Sequence, residues 1–178
     1  MLQQTTVAAV IPFFERWMTR FPTVASLAEA EIDEMLRYWQ GLGYYRRAKL
    51  LHKAAHVVSA TGWPTDRAGW EALPGVGAYT AGAVLSIAFG VPEPAVDGNV
   101  ERVYARLTGD RLAKPGLTKA AQAWMASWLR PEAPGDSVQA TMELGATVCT
   151  PRQPKCPECP LQGVCYARTH ALVAELPT

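Results

Sequence analysis

Apolar residues recur along this chain at helical spacing. Val7, Val10, Ile11, Phe14, Trp17 and Met18 fall at i, i+3, i+4, i+7 intervals and predict a first helix. Ile32, Met35, Leu36 and Trp39 predict a second, and Leu51, Ala55 and Val58 a third. Ala81, Val84, Leu85 and Ala88 form a fourth face, and Leu117, Ala121, Trp124 and Trp128 a fifth. Val138, Met142 and Gly145 suggest a sixth. Turn signals separate these runs: Phe21-Pro22, Gly41-Leu42-Gly43, Gly62-Trp63-Pro64, Pro74-Gly75-Val76-Gly77 and Pro92-Glu93-Pro94, with another between Pro131 and Gly135. No alternating apolar/polar run is long enough to read as a strand, so the expectation is all-α. Thr5 or Thr6 supplies a cap for the first helix. The other reading is that the chain enters in the middle of an element whose first half is absent.

With 178 residues, 49% of them hydrophobic, a packed core in one large domain or two small ones is expected. No run approaches the roughly 18 apolar residues of a membrane helix. Met1 to Pro12 has no basic n-region and no small-residue cleavage site. The chain reads as soluble, intracellular and cytoplasmic. A net charge of +1 argues little about partners. Arg46, Arg47, Lys49 and Lys53, with His52 and His56 among them, form either a solvated helix face or a local patch for phosphates. Arg152, Lys155 and Arg168 around the cysteines carry the same two readings.

All four cysteines, Cys149, Cys156, Cys159 and Cys165, fall in one short segment spaced C-x6-C-x2-C-x5-C. Disulfides rarely persist inside cells, so four thiols this close point to a metal or a cluster. The spacing accepts zinc and iron–sulfur alike. No nucleophile or histidine accompanies them, which makes the site structural first. Pro151, Pro154, Pro157 and Pro160 stiffen the loop.

Two further motifs carry candidate chemistry. Leu73-Pro74-Gly75-Val76-Gly77 lies between a short apolar segment and a long helical one. It is either a plain interhelical turn or a cradle in which backbone N–H groups at a helix start meet a phosphate. Asp97, in Val96-Asp97-Gly98-Asn99-Val100, precedes a helix predicted from Asn99 to Leu107. One reading is a helix cap. The other is a carboxylate that stabilises a cationic sugar during glycosidic-bond cleavage.

The order L-P-G-V-G, V-D-G-N-V, C-x6-C-x2-C-x5-C closely resembles the helix-hairpin-helix DNA glycosylases with an iron–sulfur loop, the endonuclease III and MutY group. Met1-Leu2-Gln3-Gln4-Thr5 and Gly41-Leu42-Gly43-Tyr44-Tyr45 look like its adenine-excising (MutY) branch. The resemblance implies a six-helix barrel-like domain with a helical [4Fe-4S] cluster-loop domain. On that basis residues 1–93 are assigned to the glycosylase domain, with its hairpin at 70–90. Residues 94–178 are assigned to the cluster domain, with its loop at 149–165. The implied activity is hydrolysis of the N-glycosidic bond of adenine mispaired with 8-oxoguanine or guanine, in duplex DNA, by a monomer. The adenine would be flipped into a pocket. Asp97 would stabilise the sugar cation, Asn99 would orient the site, and Tyr79 would lie against the reacting nucleotide. Leu2, Gln3, Gln4 and Tyr44 would contact DNA around the gap in the helix. Gly75, Val76 and Gly77 would hold a phosphate, with an alkali ion on the hairpin carbonyls. The four cysteines would bind the cluster. Relatives with lyase activity carry Lys where Tyr79 stands, and tyrosine cannot form a Schiff base. The expected enzyme is therefore monofunctional.

Two departures qualify this. The family's general-acid Glu lies two residues before the Met of M-L-Q-Q-T, outside the chain, and no segment matches the family's C-terminal domain. The expectation is an N-terminally truncated, weak or inactive glycosylase that still binds DNA. Two other readings stand beside it: a G:T mismatch thymine glycosylase, and a catalytically dead DNA-binding module. A zinc-ribbon-like adaptor ranks last.

Overall fold

A computed structural model describes residues 1–2 and 5–178. Gln3 and Gln4, expected to contact DNA, lie outside the described residues. The described residues contain helices and no strand, as the periodicity predicts. They form two compact units, Met1–Gly77 and Ala78–Thr178. The division falls ahead of the 93/94 boundary drawn from the sequence, because the helix that follows the hairpin packs within the second unit.

The first unit holds α1 (Val7–Arg20), α2 (Val24–Ala28), α3 (Ile32–Trp39), α4 (Tyr45–Thr61) and α5 (Arg67–Glu71). Thr6 caps α1, accepting from Ala9 N. The six apolar residues of α1 do not share one environment. Val10 and Trp17 are buried, whereas Val7, Ile11, Phe14 and Met18 are exposed. Trp17 packs edge-on against Phe21 and Trp39, with centroids 4.9 and 5.5 Å apart. These aromatics, with Met35 and Leu27, make the core. The face of α4 also differs from the expected one. It runs through Ala48, His52, Ala55 and Val58, while Leu51 is exposed. His52 therefore belongs to the core and not to a basic patch; its Nε2 lies 2.9 Å from the Ala30 carbonyl. Arg46, Lys49 and Lys53 are exposed.

The second unit holds α6 (Ala78–Phe89), α7 (Gly98–Thr108), α8 (Gly116–Trp128), α9 (Pro134–Glu143) and α10 (Tyr166–Thr169). A π-helical turn, Leu144–Val148, continues α9 into the cysteine segment, which contains a 3-10 turn at Cys156–Glu158. Val100, Ala121, Met125 and Val138 form the core, with Tyr79, Tyr104, Trp124 and Met142 packed on it. α7 is the axis of this unit and packs against α8, α9, α10 and the π-turn. Asp97 caps its start, and Gly109, at φ 79°, ends it in the left-handed region that glycine favours. A side chain at Gly109 would overlap the Tyr166 ring of α10.

Candidate active site and cysteine loop

Asp97 is a helix cap, as the first of its two sequence readings expects. The residue is extended (φ −109°, ψ −177°) and stands at the N-cap of α7. Its Oδ1 accepts from the backbone N–H groups of Asn99 and Val100, each at 2.9 Å. Its Oδ2 accepts from Asn99 Nδ2 at 2.9 Å. Three donors therefore fix the carboxylate, with the positive end of α7 behind it. Asp97 is only partly buried. Tyr79, in the first turn of α6, is also half-buried, and its hydroxyl lies 3.9 Å from Met142 Sδ. Burial, and then the charge of Asp97, hold the Tyr79 phenol above its ordinary pKa. It is a neutral hydroxyl near the carboxylate and not a base.

Asn99 connects this carboxylate to the cysteine loop through a residue that the sequence did not single out. Arg102 is buried and sits one turn along α7. Its Nη2 donates to Asn99 Oδ1 at 2.8 Å and to the Gly145 carbonyl at 2.7 Å. Its Nε donates to the Cys149 carbonyl at 2.7 Å, and Nη1 to the Gly98 carbonyl at 3.3 Å. Burial holds its pKa below the ordinary arginine value, and the nearby Cys149 offsets only part of that shift. The π-turn lets this happen: Cys149 N bonds to the Leu144 carbonyl at 2.7 Å. Gly145 is required for the approach. A Cβ there would stand 2.6 Å from Asn99 Cβ and 3.0 Å from the Asn99 carbonyl oxygen.

Arg106, a further turn along, serves the loop in the same way. Its guanidinium donates to the carbonyls of Leu176, Thr150 and Pro151 at 2.9, 2.8 and 3.1 Å. Its Nη1 also lies 3.4 Å from Cys149 Sγ. The two arginines could have been suspected from their i, i+4 spacing after the capping Asp97. Charged helix residues are usually solvated, so the signal was weak.

All four cysteines are free thiols, and all four line one pocket together with Arg106, Pro154 and Val173. Yet no three His, Cys, Asp or Glu side chains among the described residues gather closely enough for a single metal ion. Four thiols lining one pocket are a donor set that a multi-iron group can use, with Arg106 setting positive charge against one sulfur. Arg152 and Lys155 are exposed beside this loop.

In the first unit, the turn after α5 places Gly75 at φ 79°, where its missing Cβ leaves room for Leu50; a Cβ would stand 2.7 Å from Leu50 Cβ. Val76 N bonds to the Leu73 carbonyl at 3.1 Å, and Val76 is half-buried. Gly77 has nothing within 4 Å of an added Cβ, so its backbone is open to approach. The chain then enters α6 directly. Leu2 is 56% exposed. Tyr44 is 58% exposed and holds φ 49°, ψ 50°, a left-handed conformation that costs a non-glycine residue about 1 kcal/mol.

Residues 149–165 match the iron–sulfur binding domain of endonuclease III, so the cysteine loop is an iron–sulfur site. The chain is 46% identical over 174 residues to the human adenine DNA glycosylase, covering 94% of this chain and 32% of that protein. It is 43% identical over 165 residues to the adenine DNA glycosylase of Mycolicibacterium smegmatis, covering 90% of this chain and 56% of that one. It thus spans from about a third to just over half of these curated relatives. Among solved structures, a thermostable thymine-DNA glycosylase superposes with a TM-score of 0.84 at 26% identity, covering 95% of this chain and 80% of that one. A trapped endonuclease III–DNA covalent intermediate superposes with a TM-score of 0.80 at 28% identity, covering 96% and 81%. The expected glycosylase fold is borne out by these likenesses. Residues 1–127 match the family described as HhH-GPD superfamily base excision DNA repair proteins, and the chain belongs to that family.

Proposed function

We propose that this chain carries the glycosylase core of an enzyme that removes adenine opposite 8-oxoguanine or guanine in duplex DNA, by hydrolysis and without lyase chemistry. The observation that carries the proposal is Asp97: a carboxylate pinned by three donors, partly open to solvent, with a neutral phenol near it. Names carried by the relatives support the base.

In this reading the target nucleotide leaves the stack and its sugar lies against Asp97. The C1′–N9 bond breaks, and positive charge develops on C1′ and the ring oxygen. Asp97 stabilises that charge without needing to move, because Asn99 and the α7 N-terminus already hold it. Water adds its oxygen to C1′, and the base leaves with a proton. Tyr79 supplies packing and a weak donor beside the sugar. Leu2 and Tyr44 contact DNA around the vacated position, with Gln3 and Gln4, and Gly75, Val76 and Gly77 receive a phosphate. Cys149, Cys156, Cys159 and Cys165 hold a [4Fe-4S] cluster, which stabilises the loop that Arg102 and Arg106 grip. An alkali ion on the hairpin carbonyls rests on the resemblance alone.

The test compares single-turnover base release from A:8-oxoguanine, A:G and G:T duplexes by the protein. Adenine release from the first two, with no thymine release, is expected. Borohydride should trap no covalent complex. Preferential thymine release would instead support the second reading, which the thymine-DNA glycosylase superposition favours.

A further inference from the structure

The chain holds Tyr44 in an unfavourable pose, and the surrounding residues show how. Trp39 is almost fully buried, and its indole Nε1 donates to the Gly43 carbonyl at 2.9 Å, fixing the turn before Tyr44. Gly41 and Gly43 take φ values of 105° and 71°, which permits that turn. Arg47 N bonds back to the Tyr44 carbonyl at 2.8 Å. The Arg47 guanidinium carbon then lies 4.8 Å from the Tyr44 ring centroid and 5.9 Å from that of Trp39. Arg47 is half-buried, between one ring in the core and one at the surface.

We propose that Arg47 is a positioning residue that sets the Tyr44 ring for stacking against DNA bases, and not itself a phosphate contact. The proposal rests on the reading of Tyr44 as a DNA contact. A guanidinium over one side of the ring restricts its rotamer and leaves the ring's exposed side for a base. Arginine suits this where lysine does not, because its planar group lies flat on a ring. The Trp39 indole, the guanidinium and the tyrosine make a support whose deepest member is anchored in the core. The cations Arg46 and Lys49 beside it are exposed and are better placed for phosphates.

The experiment is a double-mutant cycle on the full-length protein with a mispaired duplex, reading Kd and its salt dependence. Tyr44→Leu is expected to weaken binding about tenfold. Arg47→Met is expected to weaken it about threefold to fivefold, with an unchanged slope of log K against log salt. The double variant should bind no worse than Tyr44→Leu alone. Arg47→Lys, which keeps the charge, should fall between Arg47→Met and the unsubstituted protein. Effects that multiply in the double variant, or a slope reduced by about one in Arg47→Met, would mean a direct phosphate contact and overturn the proposal. Unchanged binding in Tyr44→Leu would remove the DNA role of Tyr44 and the proposal with it, while leaving the Asp97 chemistry standing. Thermal unfolding of each variant separates a misfolded protein from a misplaced ring. If Arg47→Met unfolds, Arg47→Lys carries the cycle.

Discussion

Two helix starts in this protein carry its candidate chemistry, and they are built in opposite ways. Asp97 precedes α7 in an extended conformation and caps it with two backbone bonds. Tyr44 precedes α4 in a left-handed conformation, with no side-chain cap. At Asp97 the residue that would stabilise a reaction is also the residue that best starts the helix. At Tyr44 the local backbone is strained, and the surroundings hold it there. A group that must not move is placed where folding itself fixes it. The Tyr44 ring is instead left exposed, at some cost in stability.

The largest effect should come from Arg102→Leu, which leaves the carbonyls of Cys149 and Gly145 and the Asn99 side chain without their buried donor. A loss of about 3–5 kcal/mol is expected in denaturant unfolding, along with a weakened iron–sulfur absorbance. Gly145→Ala comes next. Its Cβ would push on Asn99, costing about 1–3 kcal/mol and lowering the rate of base release more than DNA affinity. The contrast itself is sharpened by a pair. Asp97→Ala loses a cap and the bond from Asn99, and should cost about 2 kcal/mol. Tyr44→Gly relieves about 1 kcal/mol of strain while losing a ring contact of similar size, so stability should stay within about 0.5 kcal/mol. Equal destabilisation in the two would show that Tyr44 is an ordinary structural residue.

Much of this was legible in the sequence, for identifiable reasons. The longer helices show because apolar residues repeat through several turns. α2 and α5 are five residues each, too short for a period to register. In α1 the apolar set spreads over two sides, so periodicity could not say which side is buried. The cap at Asp97 and the cysteine cluster follow from local spacing. The link between them does not, because it runs through Arg102 to backbone carbonyls 43 and 47 residues away. No residue type at positions 145 or 149 signals that an oxygen will be needed there. The π-turn that supplies those carbonyls leaves no sequence signature beyond Gly145. Likewise, nothing in Gly-Leu-Gly-Tyr-Tyr reveals that Arg47 and Trp39 enclose the first tyrosine's turn.

In the proposed reaction the carboxylate of Asp97, and not merely its capping bond, drives base release. Asp97→Asn separates the two, since asparagine caps a helix about as well and loses only the bond from Asn99, worth about 1 kcal/mol. Single-turnover adenine release by the folded full-length variant should fall at least about a thousandfold. A rate within tenfold of the unsubstituted protein would contradict the account and leave Asp97 a helix cap.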